Sequence, residues 1–389
     1  TMKILAFIFL ALFFSESSSS EKISDYRKYK TSQVKYKLEK VASSFDYPWG
    51  LTFIDKDNLL VTEKNGRLVK VNVKTGKTLD INHNIQSIRY DGESIAYQQG
   101  GLLDVYSHND GHIFFSYSHD FKETIGADKK PSKSSSTVIA RGKLSGNEIK
   151  NLEILLVGKP KIHTNKHFGS RIVIKDDYLF AGFGERDAGM IAQDPTQHPG
   201  SIIRIKKDGS IPIDNPTFKD HPEWLPEIYL IGVRNPQGMA ISPHNQEIYF
   251  SQHGPMGGDN ISKVTYAANF GWKDVAWGGS EYSGKKIGNV PFKDKYNKPI
   301  ITWVPSMAIG NIQFYHGNAF PEWKGDLIVS ATKAQMLLRL NFENNQIVDE
   351  EIILKDKIGR IRDFEIDHNG NIFIITDESN SSLWRISAK

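Results

Sequence analysis

Six times along the chain, a turn rich in Asp, Asn and Gly runs straight into a short strand-forming segment. The instances are DKDNLLVTE (55–63), HNDGHIFFSY (108–117), KDDYLFAGF (175–183), HNQEIYFSQ (244–252), WKGDLIVSA (323–331) and DHNGNIFIIT (367–376). Each leads to a second apolar run with a basic residue in or beside it: GRLVKVN, STVIARGKL, SIIRIKKDG, NISKVTY, MLLRLNF and SLWRIS. Asx-Gly turns joining alternating runs are hairpin signals. Six copies at roughly 45–80 residue spacing predict an all-β chain, a six-bladed β-propeller of four strands per blade with long inter-blade loops. An irregular β-sandwich or two small β domains would use the same hairpins. Long helical periodicity is missing, and 32 glycines with 16 prolines suit a turn-rich chain.

The N-terminus is different in kind. Met2 and Lys3 precede the apolar stretch ILAFIFLALFF (4–14), and SESSSS follows it. A basic start, an apolar run of about ten residues and a small polar exit match a secretory signal, and a span of the bilayer needs about twenty apolar residues. Residues 1–20 are therefore expected to be a signal peptide and 21–40 a charged leader. Residues 41–389 would form one propeller catalytic domain, exported to the bacterial periplasm without a stable membrane anchor. YKLEKVASSF (36–45) is a candidate strand for closing the ring, and 120–136 reads as an exposed loop. No cysteine is present, which excludes disulfides and a lipid-modified cysteine. The net charge of +4 is spread without a dense basic run, so no nucleic-acid partner is expected.

Several chemistries fail on pattern alone. GFGERDAG (182–189) follows a strand but leads into no helix before Pro195, and a dinucleotide-binding turn needs that helix N-terminus. His163 and His167 are four apart, yet HTNKHFG lacks helical character and no third ligand is placed nearby. No GxSxG elbow exists. What remains is a set of loop segments that combine cations, amides and special backbone residues. GVRNPQGMA (232–240) carries Arg234 and Asn235; SQHGPMGGDN (251–260) packs glycines and Pro255 before Asp259, a loop suited to turning oxygens toward a hard cation such as calcium. Lys333 lies just beyond a strand, and Arg360 and Arg362 are two apart, on one side of an extended segment. Together these four cations would attract a ligand with several carboxylates. Singly, each arginine could serve a surface ion pair, the glycine loop a tight turn, and His167 a loop hydrogen bond. A propeller brings such loops together at one end of its axis.

Nine segments, in order, carry a family resemblance: PWGLTF, GGLLDV, HFGSRI, SIIRIKKDGSIP, GVRNPQGMAISP, HGPMGGDN, NFGWKD, FPEWKGDLIVSATKAQMLLRL and RIRDFEIDHNGNIFIITDE. They resemble the signatures of the soluble aldose sugar dehydrogenases that depend on pyrroloquinoline quinone (PQQ), the glucose/sorbosone dehydrogenase family, from about residue 47 to 386. The resemblance implies a six-bladed propeller that oxidises aldoses at C1 to lactones. His167 matches the general base that takes the C1 hydroxyl proton as hydride passes to the quinone. Gln99, Arg234, Asn235, Lys333, Arg360 and Arg362 match residues that hold the quinone and its carboxylates. The carbonyls of Gly254 and Pro255 match a calcium (Ca2+) site beside it. Asn260 and Phe270 match a second, structural calcium site. There the family usually has GGDE and NYGW, where this chain reads GGDN and NFGW; Glu185 stands where the family often has aspartate. Implied partners are an aldose substrate and an external electron acceptor, for a monomer or homodimer. A calcium-dependent lactonase or other hydrolase on a six-bladed propeller is the alternative enzyme, and a non-catalytic sugar- or partner-binding propeller the alternative without chemistry. The four-cation cluster favours the dehydrogenase, because a hydrolase needs no tricarboxylate anchor.

Overall fold

In all six recurrences the Asx-rich turn enters the second strand of a four-stranded antiparallel sheet, and the basic-marked run is the third. The structure, a computed structural model, describes residues 29–88, 99–125 and 130–389. Blade 1 is Pro48–Phe53, Asn58–Glu63, Leu68–Asn72 and Thr78–Asp80. Blade 2 is Leu102–Ser107, His112–Ile125, Lys130–Ser145 and Glu148–Val157. Gly169–Lys175, Tyr178–Phe183, Ser201–Lys206 and Ile228–Ile231 make blade 3; Pro236–Ile241, Ile248–Gln252, Asp259–Lys263 and Ile301–Trp303 make blade 4. Blade 5 contains Ile309–Phe314, Leu327–Ala331, Met336–Glu343 and Gln346–Lys355, with Lys30–Thr31 added in parallel at its outer edge. Blade 6 takes Ile361–Ile366, Ile372–Thr376 and Ser381–Ala388 from the C-terminus and its outer strand, Tyr36–Phe45, from the N-terminus. The ring is thus closed by the expected strand, which begins inside the stretch read as a leader. The signal-peptide segment lies outside the described residues.

The hydrophobic effect holds the ring through the faces between blades rather than within them. Each sheet is apolar on both faces, and six buried clusters each span a neighbouring pair. Leu60 and Leu68 pack with Val105 and Phe115. Phe114 and Ile139 meet Ile172 and Leu179, and Val173 and Ile202 meet Met239 and Phe250. Tyr249 and Ile261 join Val329 and Leu338, and Ile328 and Leu337 join Phe364 and Ile374. The circle ends where Phe373, Ile375 and Leu383 pack on Leu51, Leu59 and Val61.

One expectation is corrected. Residues 120–125 and 130–136 do not form a loop: they belong to the long second and third strands of blade 2, paired from His112↔Lys143 to Ile125↔Lys130. A ladder is held by backbone hydrogen bonds, so a polar sequence such as KPSKSSS does not mean the loss of a strand, and its Ser134, Ser135 and Ser136 are buried.

The innermost strands line the axis, where a buried ion network ties five of them. Arg171 of blade 3 pairs with Asp104 of blade 2 at 2.8 Å and Asp363 of blade 6 at 3.0 Å. It also donates to the Gln237 carbonyl of blade 4 at 2.8 Å, while Asp363 accepts from the Leu51 amide of blade 1 at 3.2 Å. This network fixes the strands from which the site residues depart.

Candidate active site

His167 sits immediately before the innermost strand of blade 3, with a left-handed backbone (φ 52°) that is followed by φ 69° at Gly169. A Cβ on Gly169 would lie 2.5 Å from the Gly182 carbonyl oxygen and 2.6 Å from the Gly184 amide nitrogen, so glycine is required there. The bend turns His167 into the protein, where it is 5% exposed. Its amide donates to Gln99 Oε1 at 2.9 Å, and the Gly169 amide donates to Asn235 Oδ1 at 3.0 Å. Two predicted amide side chains therefore hold the backbone on either side of the imidazole.

Both ring nitrogens are engaged. Nδ1 meets the Glu185 carboxylate, and Nε2 lies 3.1 Å from Arg234 Nη2. A guanidinium can only donate and a carboxylate can only accept, so the proton resides on Nδ1 and a lone pair on Nε2. Burial, then the Arg234 charge, outweigh Glu185 and hold the imidazole below its ordinary pKa. Burial opposes ionisation of Glu185, yet hydrogen bonds from His167 and the Gly189 amide hold that carboxyl below its usual value. Asp187 completes a group whose ligand atoms lie within 4.8 Å of one another. Glu185 already accepts from His167 and from the Asp187 amide at 3.2 Å, and Asp187 pairs with Lys166 at 2.9 Å. The three side chains are therefore satisfied by one another and by Lys166, and Glu185 orients the imidazole with its lone pair on Nε2.

Beside it opens a cavity of about 190 Å³. Of the predicted residues, Gln99, Asn235, Arg360 and Arg362 line it, together with Phe168 and Gly169 next to the base. Lys333 is exposed, and its neighbour Thr332 forms part of the wall. Arg360 and Arg362 do share a side, since both reach Asp377, at 3.7 and 2.7 Å. Arg362 also donates to Gln237 Oε1 at 3.1 Å, but its Nε has no partner. Nor has Nε2 of His253, which burial, then Arg362 and Arg234, push down to about 3. His253 and Arg362 thus line the cavity, and each keeps one fully buried nitrogen without a partner among the described residues.

Arg234 also anchors the glycine loop. It donates to the Gly254 carbonyl at 3.0 Å, and the Gly254 amide donates to buried Asp259 at 2.8 Å. A Cβ on Gly254 would lie 2.0 Å from the Gly257 carbonyl oxygen, so the loop closes only with glycine. Pro255 is buried beside it. The two remaining predicted metal ligands have internal partners: Asn260 Oδ1 accepts from Ser262 at 3.0 Å and Gln252 at 3.2 Å, and the Phe270 carbonyl accepts from Trp277 Nε1 at 3.0 Å.

Sequence reasoning missed Trp49, Lys64, Gln237, His253 and Asp377, all in the cavity wall. Gln237 and His253 stood within the quoted segments GVRNPQGMA and SQHGPMGGDN and carried no spacing that set them apart. Lys64 and Asp377 are single charges at blade ends, visible only once the blades are assembled.

Residues 45–385 match the family model described as Glucose / Sorbosone dehydrogenase. Over 364 residues, 90% of this chain and 93% of the relative, the chain is 32% identical to the aldose sugar dehydrogenase YliI of Escherichia coli strain K12. The apo-form structure of the soluble aldose sugar dehydrogenase from Escherichia coli matches at a TM-score of 0.82 and 30% identity, over 91% of this chain and 100% of that one. The PQQ-bound aldose sugar dehydrogenase of Streptomyces coelicolor shares the fold at a TM-score of 0.70 and 20% identity, over 91% of this chain and 98% of that one.

Proposed function

The chain belongs to the glucose/sorbosone dehydrogenase family, and from that premise we propose that it is an exported quinoprotein oxidising an aldose at C1 to its lactone and passing two electrons to an external acceptor. The observation that carries the reading is the buried His167, held by Glu185 on Nδ1 and by Gln99 on its amide, next in the chain to Phe168 and Gly169 in the wall of a cation-lined cavity.

The donor set fits a quinone bearing several carboxylates. Arg360, Arg362, Asn235 and Gln99 line the cavity, with His253 beside them. Lys333, beyond Thr332, supplies a further charge at the rim. The Gly254 and Pro255 carbonyls would hold calcium, and the bonds already made by Asn260 and Phe270 would have to open for a second ion. When bound, PQQ with its calcium supplies the acceptor for the C1 hydrogen and its electron pair.

The protein's own part is the proton. His167 Nε2 accepts it from the C1 hydroxyl, and the charge that develops on the ring is balanced by Glu185 on Nδ1. Arg234 must yield its contact with Nε2 as the hydroxyl arrives, and its remaining bond to the Gly254 carbonyl keeps it close. Burial excludes water from competing for the lone pair.

The test is reconstitution of the purified protein with PQQ and calcium, followed by an assay with glucose and a dye acceptor. Saturable quinone binding and sugar-dependent dye reduction are expected; the absence of both would sink the reading. His167→Ala should abolish sugar-dependent reduction and leave quinone affinity close to that of the unaltered protein. Turnover by that variant at the unaltered rate would remove His167 from the base role.

A further inference from the structure

Lys64 lies in the turn between the second and third strands of blade 1, and its side chain is only 5% exposed. It nonetheless lines the cavity. Its ammonium has one ionic partner, Asp377 Oδ1 at 3.3 Å, and stands 4.8 Å from the centre of the Tyr47 ring. An ammonium carries three donors. Burying one is costly unless its donors are matched, and among the described residues one carboxylate oxygen approaches. That carboxylate is shared: its other oxygen takes Arg362 at 2.7 Å and Arg360 at 3.7 Å. Three cations around one carboxylate leave an excess of positive charge at the cavity wall.

The position of Lys64 is built in. Its amide donates to the Tyr47 carbonyl at 3.2 Å, and its own carbonyl accepts from Leu102 at 3.4 Å. Gly101 passes so close that a Cβ there would lie 2.1 Å from the Lys64 carbonyl oxygen, at a φ of 128°. Such packing pre-organises the side chain, so little ordering is required when a ligand arrives.

We propose that Lys64 is an anion-binding residue of the active-site cavity, donating to a carboxylate of the bound cofactor, with Asp377 as the counter-ion that gathers Lys64, Arg360 and Arg362 at the cavity wall until then. The inference rests on the quinoprotein reading and adds to it a blade-1 residue that no loop motif marks. It also assigns Asp377 a purpose: held ionised by Arg362 and Lys64 against its burial, the carboxylate offsets the mutual repulsion of the three cations gathered at that wall. The competing structural account makes Lys64–Asp377 a bond between blades 1 and 6 and nothing more.

The experiment is a titration of PQQ, with calcium present, into the unaltered protein and its Lys64→Met, Lys64→Gln and Lys64→Arg variants, followed by tryptophan quenching and paired with thermal melts. A charged hydrogen bond of ordinary strength corresponds to about ten- to a hundredfold in affinity, so both neutral variants should bind that much more weakly, and Lys64→Arg should recover most of the loss. Two neutral replacements of different polarity guard against a folding failure in one. If a folded neutral variant binds PQQ within about twofold of the unaltered protein and only its melting temperature falls, the structural account is right and the inference is overturned. If the unaltered protein itself does not bind PQQ, the functional reading falls and the inference falls with it.

Discussion

His167 Nε2 is useful as a base only while it is neutral, and its surroundings decide the pH at which that holds. Burial and Arg234 lower its pKa from the usual histidine value, and Glu185 opposes them. A base with a depressed pKa stays deprotonated to lower pH, so kcat/KM for sugar should be flat through neutrality and fall only below the ordinary histidine range near 6.5. Glu185→Gln removes the group that raises the pKa, so the acid limb should move to still lower pH. Glutamine also offers one acceptor oxygen where the carboxylate serves both Nδ1 and the Gly189 amide, so its NH2 competes for Nδ1 and the proton is no longer fixed there, and the plateau should drop by roughly a hundredfold or more. A pH–rate profile of the two proteins reads both effects; a limb moving toward higher pH would contradict the assignment. At this scale the sequence showed part of the site. His167, Arg234 and the Arg360/Arg362 pair were visible as residues, but their roles came from ordered resemblance to a family. Lys64 and Asp377 were not visible, because a lone charge in a turn looks the same whether it faces solvent or, as here, a cavity walled by loops from around the ring.

At the level of elements, the second and third strands of every blade could be read in advance, and the first and fourth much less. The Asx turn and the basic-marked partner announce a hairpin, whereas innermost runs such as PWGLTF and IRDFEI are short and nearly continuously buried, without the alternation that marks a half-exposed strand. The blade 2 hairpin was misread for the opposite reason, since its distal half is polar on its face to the eye. The start of the blade 3 strand is where element and chemistry meet. Gly169→Ala would place a methyl group against the Gly182 carbonyl oxygen and the Gly184 amide in a backbone region that costs an L-residue about 1–2 kcal/mol before any clash is counted. The melting temperature should fall measurably. Turnover should fall further than PQQ affinity, because the displaced segment carries the imidazole while most cofactor anchors sit on blades 4 and 6. Equal losses in both would mean that the bend serves stability alone.

For the whole molecule, the ring is a cyclic object with a charged centre. Its closure was legible, because YKLEKVASSF reads as a strand ahead of the first repeat, and it pairs with the C-terminal strand Ser381–Ala388. The ion network on the axis was not, since Asp104, Arg171 and Asp363 lie 67 and 192 residues apart and meet only when the inner strands converge. Carboxyl groups outnumber the arginine there. Burial, then the Asp363 charge with Arg171 opposing, leave Asp104 pushed up to about 7. Glu365, two residues beyond Asp363, retains some accessible surface, but protein crowds it enough that burial, then Asp363, push its carboxyl up to about 8. The sign follows from proton linkage: an acid whose pKa is raised on folding contributes stability that is fully present below its ordinary pKa of 4.5 and is lost as pH rises through about 8. Glu365→Gln mimics the protonated carboxyl and cannot ionise. It should therefore melt close to the unaltered protein at pH 5 and above it at pH 9, with the gap widening steadily between, because only the unaltered chain must then carry an ionised carboxylate beside Asp363. Melts across that range decide it: a gap that stays constant with pH would place Glu365 in water, outside the charge balance of the axis.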